Sequence, residues 1–205
     1  MSHIKNVRKT LLMSVIMSSP GPLVVGLGLL VGRSSTQIAD FVRRSIELLA
    51  IILSFAVFCM TAKDGGIDEV KKQRYEKYTN ILVSEAMVIS GIIMIILAVT
   101  SDVEENGNVI PSLIIALLGL VANSYFWVRY RKLGTQTGNK LLIAQSNLYR
   151  GKTLVDTSVF VALGVVLFAK DAALSYTVDL VGTVCVSIYL AFTGSKMLYN
   201  ECKRV

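Results

Sequence analysis

The chain of 205 residues is 53% hydrophobic and only 17% charged, whereas a soluble domain carries roughly a quarter charged residues. Its formal net charge of +7 does not point to nucleic acid, because the basic residues gather in alternate connections between apolar blocks. One histidine, His3, excludes a site built from several imidazoles. Cys59, Cys185 and Cys202, which lack Cys-x-x-Cys spacing, suggest neither a disulfide framework nor a thiolate metal site.

The apolar blocks are about twenty residues long, the length that crosses a bilayer core as a helix. Six such spans are expected, over residues 10–32, 36–61, 79–100, 109–130, 141–169 and 175–198, giving an all-α integral membrane protein with a single domain over 1–205. The first span opens on "MSHIKNVRKTLLMSVIMSSPGP", basic and then apolar like a signal peptide. It has no convincing small-x-small cleavage site and resumes through "LVVGLGLLVG", so it reads as a retained helix, kinked or broken at Pro20 and Pro22. The glycines of that run suit close helix packing.

The second span begins with charge. Asp40, Arg43, Arg44 and Glu47 recur at i, i+3, i+4 and i+7, which is one face of a helix. The connection "AKDGGIDEVKKQRYEK" follows, then a third span carrying Glu85 and a fourth carrying Asn123. The fifth span, "QSNLYRGKTLVDTS", is also charged. There Gln145, Tyr149, Lys152 and Asp156 share a face with Leu148 at its edge, and Asp156 is placed for an i, i+4 pair with Lys152. The sixth span carries Asp179. Ionisable groups inside spans face partners or water-filled cavities, and the two faces together hold three bases (Arg43, Arg44, Lys152) against three acids (Asp40, Glu47, Asp156).

Orientation follows from the basic connections. One side receives Lys5, Arg8, Lys9, Lys63, Lys71, Lys72, Arg74, Lys77, Arg129, Arg131, Lys132, Lys140, Lys203 and Arg204. The other receives Arg33, Lys170 and the acidic "SDVEENGN". Both termini are therefore expected on the cytoplasmic side, in a bacterial cytoplasmic membrane, with the basic loops against anionic headgroups. No nucleophile–base arrangement, phosphate loop or cofactor motif is present, so neither an enzyme nor a cofactor protein is expected.

At the two charged helices the sequence resembles the cation diffusion facilitator family. "SSTQIADFVRRSIEL" follows that family's second-span pattern S-x-x-x-x-A-D-x-x-H/D-S-x-x-D. "AQSNLYRGK" follows the fifth-span pattern A-D-A-x-H/D-x-R-S-D, and "YTVDLVGTVCVSIYL" opens the sixth. The resemblance covers nearly the whole chain. It implies a six-helix transmembrane domain, a homodimer, and secondary transport of divalent metal by proton exchange. Asp40 and Arg150 match common family residues. The four family ligand positions fall on Arg43, Glu47, Leu148 and Lys152, of which only Glu47 is a metal donor. The chain is expected to end at "NECKRV" without the family's cytoplasmic domain.

A divalent ion 4 Å from the Lys152 ammonium costs roughly 8 kcal/mol at an effective dielectric of about 20, and one carboxylate does not make a tight site. Ordinary zinc export is therefore not expected, and no metal ligand is assigned. Three readings stay open: transport of another cation or small solute through the network of Asp40, Arg43, Arg44, Glu47, Lys152 and Asp156; divalent-metal transport at a displaced carboxylate site of Asp40, Glu47 and Asp156; and a non-transporting scaffold or partner subunit that keeps the fold.

Overall fold

A computed structural model describes residues 2–31, 35–62, 69–100, 110–169 and 172–203. The described chain is helical: α1 (Ser2–Ser18), α2 (Pro20–Val31), α3 (Ser35–Thr61), α4 (Glu69–Thr100), α5 (Ile110–Thr137), α6 (Lys140–Ala169) and α7 (Ala172–Cys202). The first expected span is thus two helices. Ser19 closes α1 with its amide and hydroxyl on the Val15 carbonyl (3.0 and 2.7 Å), and Pro20 starts α2 at the position where a missing N–H costs nothing.

Among the described residues, five stretches are long and apolar enough to cross a membrane: Ile4–Leu27, Asp40–Thr61, Val70–Thr100, Leu113–Thr137 and Tyr176–Cys202. The remaining long helix, α6, carries Gln145, Arg150, Lys152 and Asp156. Several helices overrun the expected spans. α4 starts at Glu69 rather than 79, and α5 continues to Thr137 rather than 130. Hydropathy marks where a helix leaves the bilayer, whereas "EVKKQRYEKYTN" is built of residues that sustain a helix in water. The connections over 63–68 and 101–109 lie outside the described residues.

α5 and α6 form a tight helical hairpin. Gly138 takes φ 63°, the left-handed conformation that ends a helix at low cost. Next to it the Asn139 carboxamide oxygen accepts from the Leu142 amide at 3.3 Å, capping α6. The core, formed by α1 and α3–α7, is filled by Leu11, Ile51, Met87, Phe126, Tyr130, Leu148 and Tyr149, all fully buried. Phe126, Tyr130 and Tyr149 stack with centroids 5.2–6.2 Å apart.

The α4–α7 seam shows how helices pack where lipid is as apolar as leucine: small residues let the backbones approach. A Cβ at Gly91 would lie 2.8 Å from the Ser187 carbonyl oxygen, and one at Gly194 would lie 2.8 Å from that of Ser84. Gly91→Val and Gly194→Val must therefore each push the two helices apart. Each is expected to cost about 1–3 kcal/mol, read as a lowered unfolding midpoint of the detergent-solubilised protein. A midpoint equal to the parent's would mean the seam is looser than described.

Candidate functional site

The charged face of α3 meets the polar face of α6 across an antiparallel seam that sets 47 opposite 152 and, two turns on, 54 opposite 145. On α3, Asp40 accepts from two arginines: Arg43 Nη2 reaches Oδ1 at 2.8 Å and Arg44 Nε reaches Oδ2 at 2.7 Å. Arg43 turns its other nitrogen to Glu47, with Nη1 3.5 Å from Oε1, and the Lys152 ammonium sits 3.5 Å from Oε2. Ser90 of α4 donates to Oε1 at 2.9 Å. The result is one chain of alternating charge, Arg44–Asp40–Arg43–Glu47–Lys152, spread over two helices.

Asp156 lies beside this chain rather than in it. The expected i, i+4 pair with Lys152 gives way to the contact with Glu47, and Asp156 accepts from the Asn123 amide at 2.6 Å. Gly119 makes room: a Cβ there would stand 3.0 Å from Oδ2. Glu85 lies on an exposed face of α4 and takes no part, and the side chain of Asp179 lies outside the described residues. Sequence reasoning passed over Ser90 and Ser54, because a serine in an apolar span reads as ordinary close packing.

The side chains of Arg44 and Asp40 are 42% and 24% exposed, exposure falls to 9% at Arg43 and 5% at Glu47, and it rises again to 18% at Lys152. The network is thus most open at the α3 N-terminal end and most enclosed at Glu47. Toward the basic end the seam closes. Leu148, Ala50 and Ile51 are at most 1% exposed, and below them Gln145 donates to Ser54 Oγ at 2.6 Å. α1 is tied over the same region by hydroxyls: Ser14 shares a hydrogen bond with Tyr130 at 2.5 Å, and Ser18 with Tyr149 at 2.9 Å.

Among the described residues no three His, Cys, Asp or Glu side chains converge on a point that could hold a metal ion. Of the four positions that the resemblance puts at the ligands, Arg43, Glu47, Leu148 and Lys152, Glu47 alone carries a carboxylate. Both of its oxygens already face cations, and Leu148 belongs to the apolar plug.

The site is thus a buried ion-pair chain between α3 and α6 of a helical membrane domain. The chain matches the cation efflux transmembrane domain over residues 11–203, and it belongs to that family, the cation diffusion facilitators. A search of curated proteins finds no match.

Proposed function

We propose that this chain is a secondary transporter whose substrate is a cation other than the usual divalent metals, or another small solute. In this reading Lys152 and Arg43 stand where the family's ion would be. The observation that carries it is the double engagement of Glu47, whose two carboxylate oxygens each have an internal cation at 3.5 Å. The same contacts argue against a displaced divalent site on Asp40, Glu47 and Asp156, since five of the six carboxylate oxygens that would ligate are already held by Arg43, Arg44, Lys152 or Asn123. The greater exposure of the Asp40–Arg44 end, with Leu148 buried below, supports a path open at that end and sealed at Leu148, one side of an alternating-access cycle. Release of Lys152 from Glu47, with proton exchange as the coupling the family suggests, would be the step that opens the other. A homodimer in a bacterial cytoplasmic membrane with both termini cytoplasmic completes the proposal, with the basic connections as its support.

The second reading is a scaffold or partner subunit, which the closure of the ion-pair chain on itself favours. Transient currents on supported membranes separate the two. With a panel of monovalent and divalent cations, the parent protein is expected to give a current with at least one monovalent ion or with protons, and Glu47→Gln none. Silence across the panel, from protein that is folded and inserted, would favour the scaffold.

A further inference from the structure

Arg150 is a cation that the ion-pair chain does not use. It sits on the outer surface of α6, exposed, ten residues or about 15 Å of helix from Lys140. Charged groups at such depth normally face the protein interior or a partner. Instead its guanidinium is held between two rings, 5.6 Å from the Trp127 centroid on α5 and 5.2 Å from that of Tyr189 on α7. Among the described residues no acid pairs with it. Stacking fixes the guanidinium plane and leaves its N–H edge free, the geometry that suits phosphate.

Trp127 is also the wall of a groove of about 410 Å³, lined further by Val128, Arg131, Lys132 and Thr135. Arg131 lies four residues from Trp127, about 6 Å along the helix. The Cα–Cβ bonds of α6 tilt toward its N-terminus, so the Arg150 head leans toward that same basic end. Two cations, Arg131 and Lys132, thus line this opening, and a third, Arg150, stacks on the Trp127 ring that walls it. Away from the basic end, Val128, Val121 and Leu118 of α5 are each more than 60% exposed and offer an apolar track.

We infer that this surface is a specific binding site for an anionic phospholipid. Its phosphate is held among Arg150, Arg131 and Lys132, and its acyl chains lie along α5. Charge complementarity selects the occupant: basic pockets between spans take anionic headgroups, and the apolar track continues where a lipid tail must go.

The chain's single tryptophan, Trp127, reports on the site directly. The purified protein is reconstituted in phosphatidylcholine vesicles containing a small, equal mole fraction of either brominated phosphatidylglycerol or brominated phosphatidylcholine, and tryptophan quenching is measured. The brominated anionic lipid is expected to quench with at least about fivefold higher apparent affinity, the preference that one well-placed basic residue provides. Arg131→Gln/Lys132→Gln, both exposed positions, should abolish that preference, and Arg150→Gln should weaken it. Lys71→Gln/Arg74→Gln, exposed basic residues elsewhere, should leave it intact. Equal quenching by the two lipids would overturn the site. So would loss of the preference in the Lys71/Arg74 variant, which would make it a general surface-charge effect. A preference abolished by an added acidic helical peptide, and not by added phosphatidylglycerol, would assign the surface to a protein partner and overturn the lipid site.

Discussion

Glu47→Gln is expected to lower the unfolding midpoint of the solubilised protein by roughly 10 °C, the consequence of losing about 3–5 kcal/mol when one member of a buried ion-pair network is removed. Glu47 is 3% exposed; among the described residues its Oε2 is the one acid contact of Lys152, and its Oε1 is the second acid contact of Arg43 after Asp40. Without its charge both bases stay in a low-dielectric seam, and only Arg43 keeps an acid, Asp40. Arginine does not escape by deprotonation. The companion variant Glu47→Gln/Lys152→Gln removes one charge of each sign, and most of the lost stability should return, because replacing both members of a buried pair is far milder than breaking it. Thermal unfolding of the two single variants and the double measures the coupling. A coupling below about 0.5 kcal/mol would show that the pair is not coupled in the folded protein. The same set separates stability from function: under the transport proposal the double variant is folded but silent, whereas a scaffold role requires only the recovered fold.

Much of this arrangement can be read from residue spacing. Asp40, Arg43, Arg44 and Glu47 share one helical face because 3.6 residues make a turn, and that periodicity survives folding. Which groups pair across helices is a different matter. Lys152 has Asp156 one turn away on its own helix, yet it reaches Glu47, because the α3–α6 register sets 47 opposite 152 and Asn123 of α5 already donates to Asp156. Neither the register nor the third helix is visible in local sequence. Helix ends were hidden for another reason. Hydropathy falls before α4 and α5 end, since both continue through charged residues, and among the described residues Gly138 alone gives a left-handed stop. An interruption near Ser19 was readable as a kink or a break, since Pro20 and Pro22 cannot both sit inside one regular helix; the structure makes it a break.

Zinc provides the sharpest test of the internal-cation reading. The parent protein is expected to show no zinc binding by calorimetry near neutral pH at micromolar concentrations, because an ion at the family position would face the Lys152 ammonium at a cost of roughly 8 kcal/mol with one carboxylate in return. Lys152→Asp/Arg43→His removes both bases and puts an acid and an imidazole around Glu47, with the Ser90 hydroxyl already 2.9 Å from Oε1. Three such donors with an open fourth position suit zinc, and that variant is expected to bind at micromolar or tighter concentrations. Lifting the repulsion alone is worth about five to six orders of magnitude at about 1.4 kcal/mol per decade. Asp40 and Arg44 keep their own contact at 2.7 Å, so the outer end of the chain stays paired and the variant has a route to folding. Lys152→Asp alone should be intermediate, since Arg43 still lies 3.5 Å from Glu47. Micromolar zinc binding by the parent, lost in Glu47→Gln, would instead mean that Lys152 and Arg43 swing away to admit the metal. The chain would then be a divalent-ion transporter whose bases act as a gate.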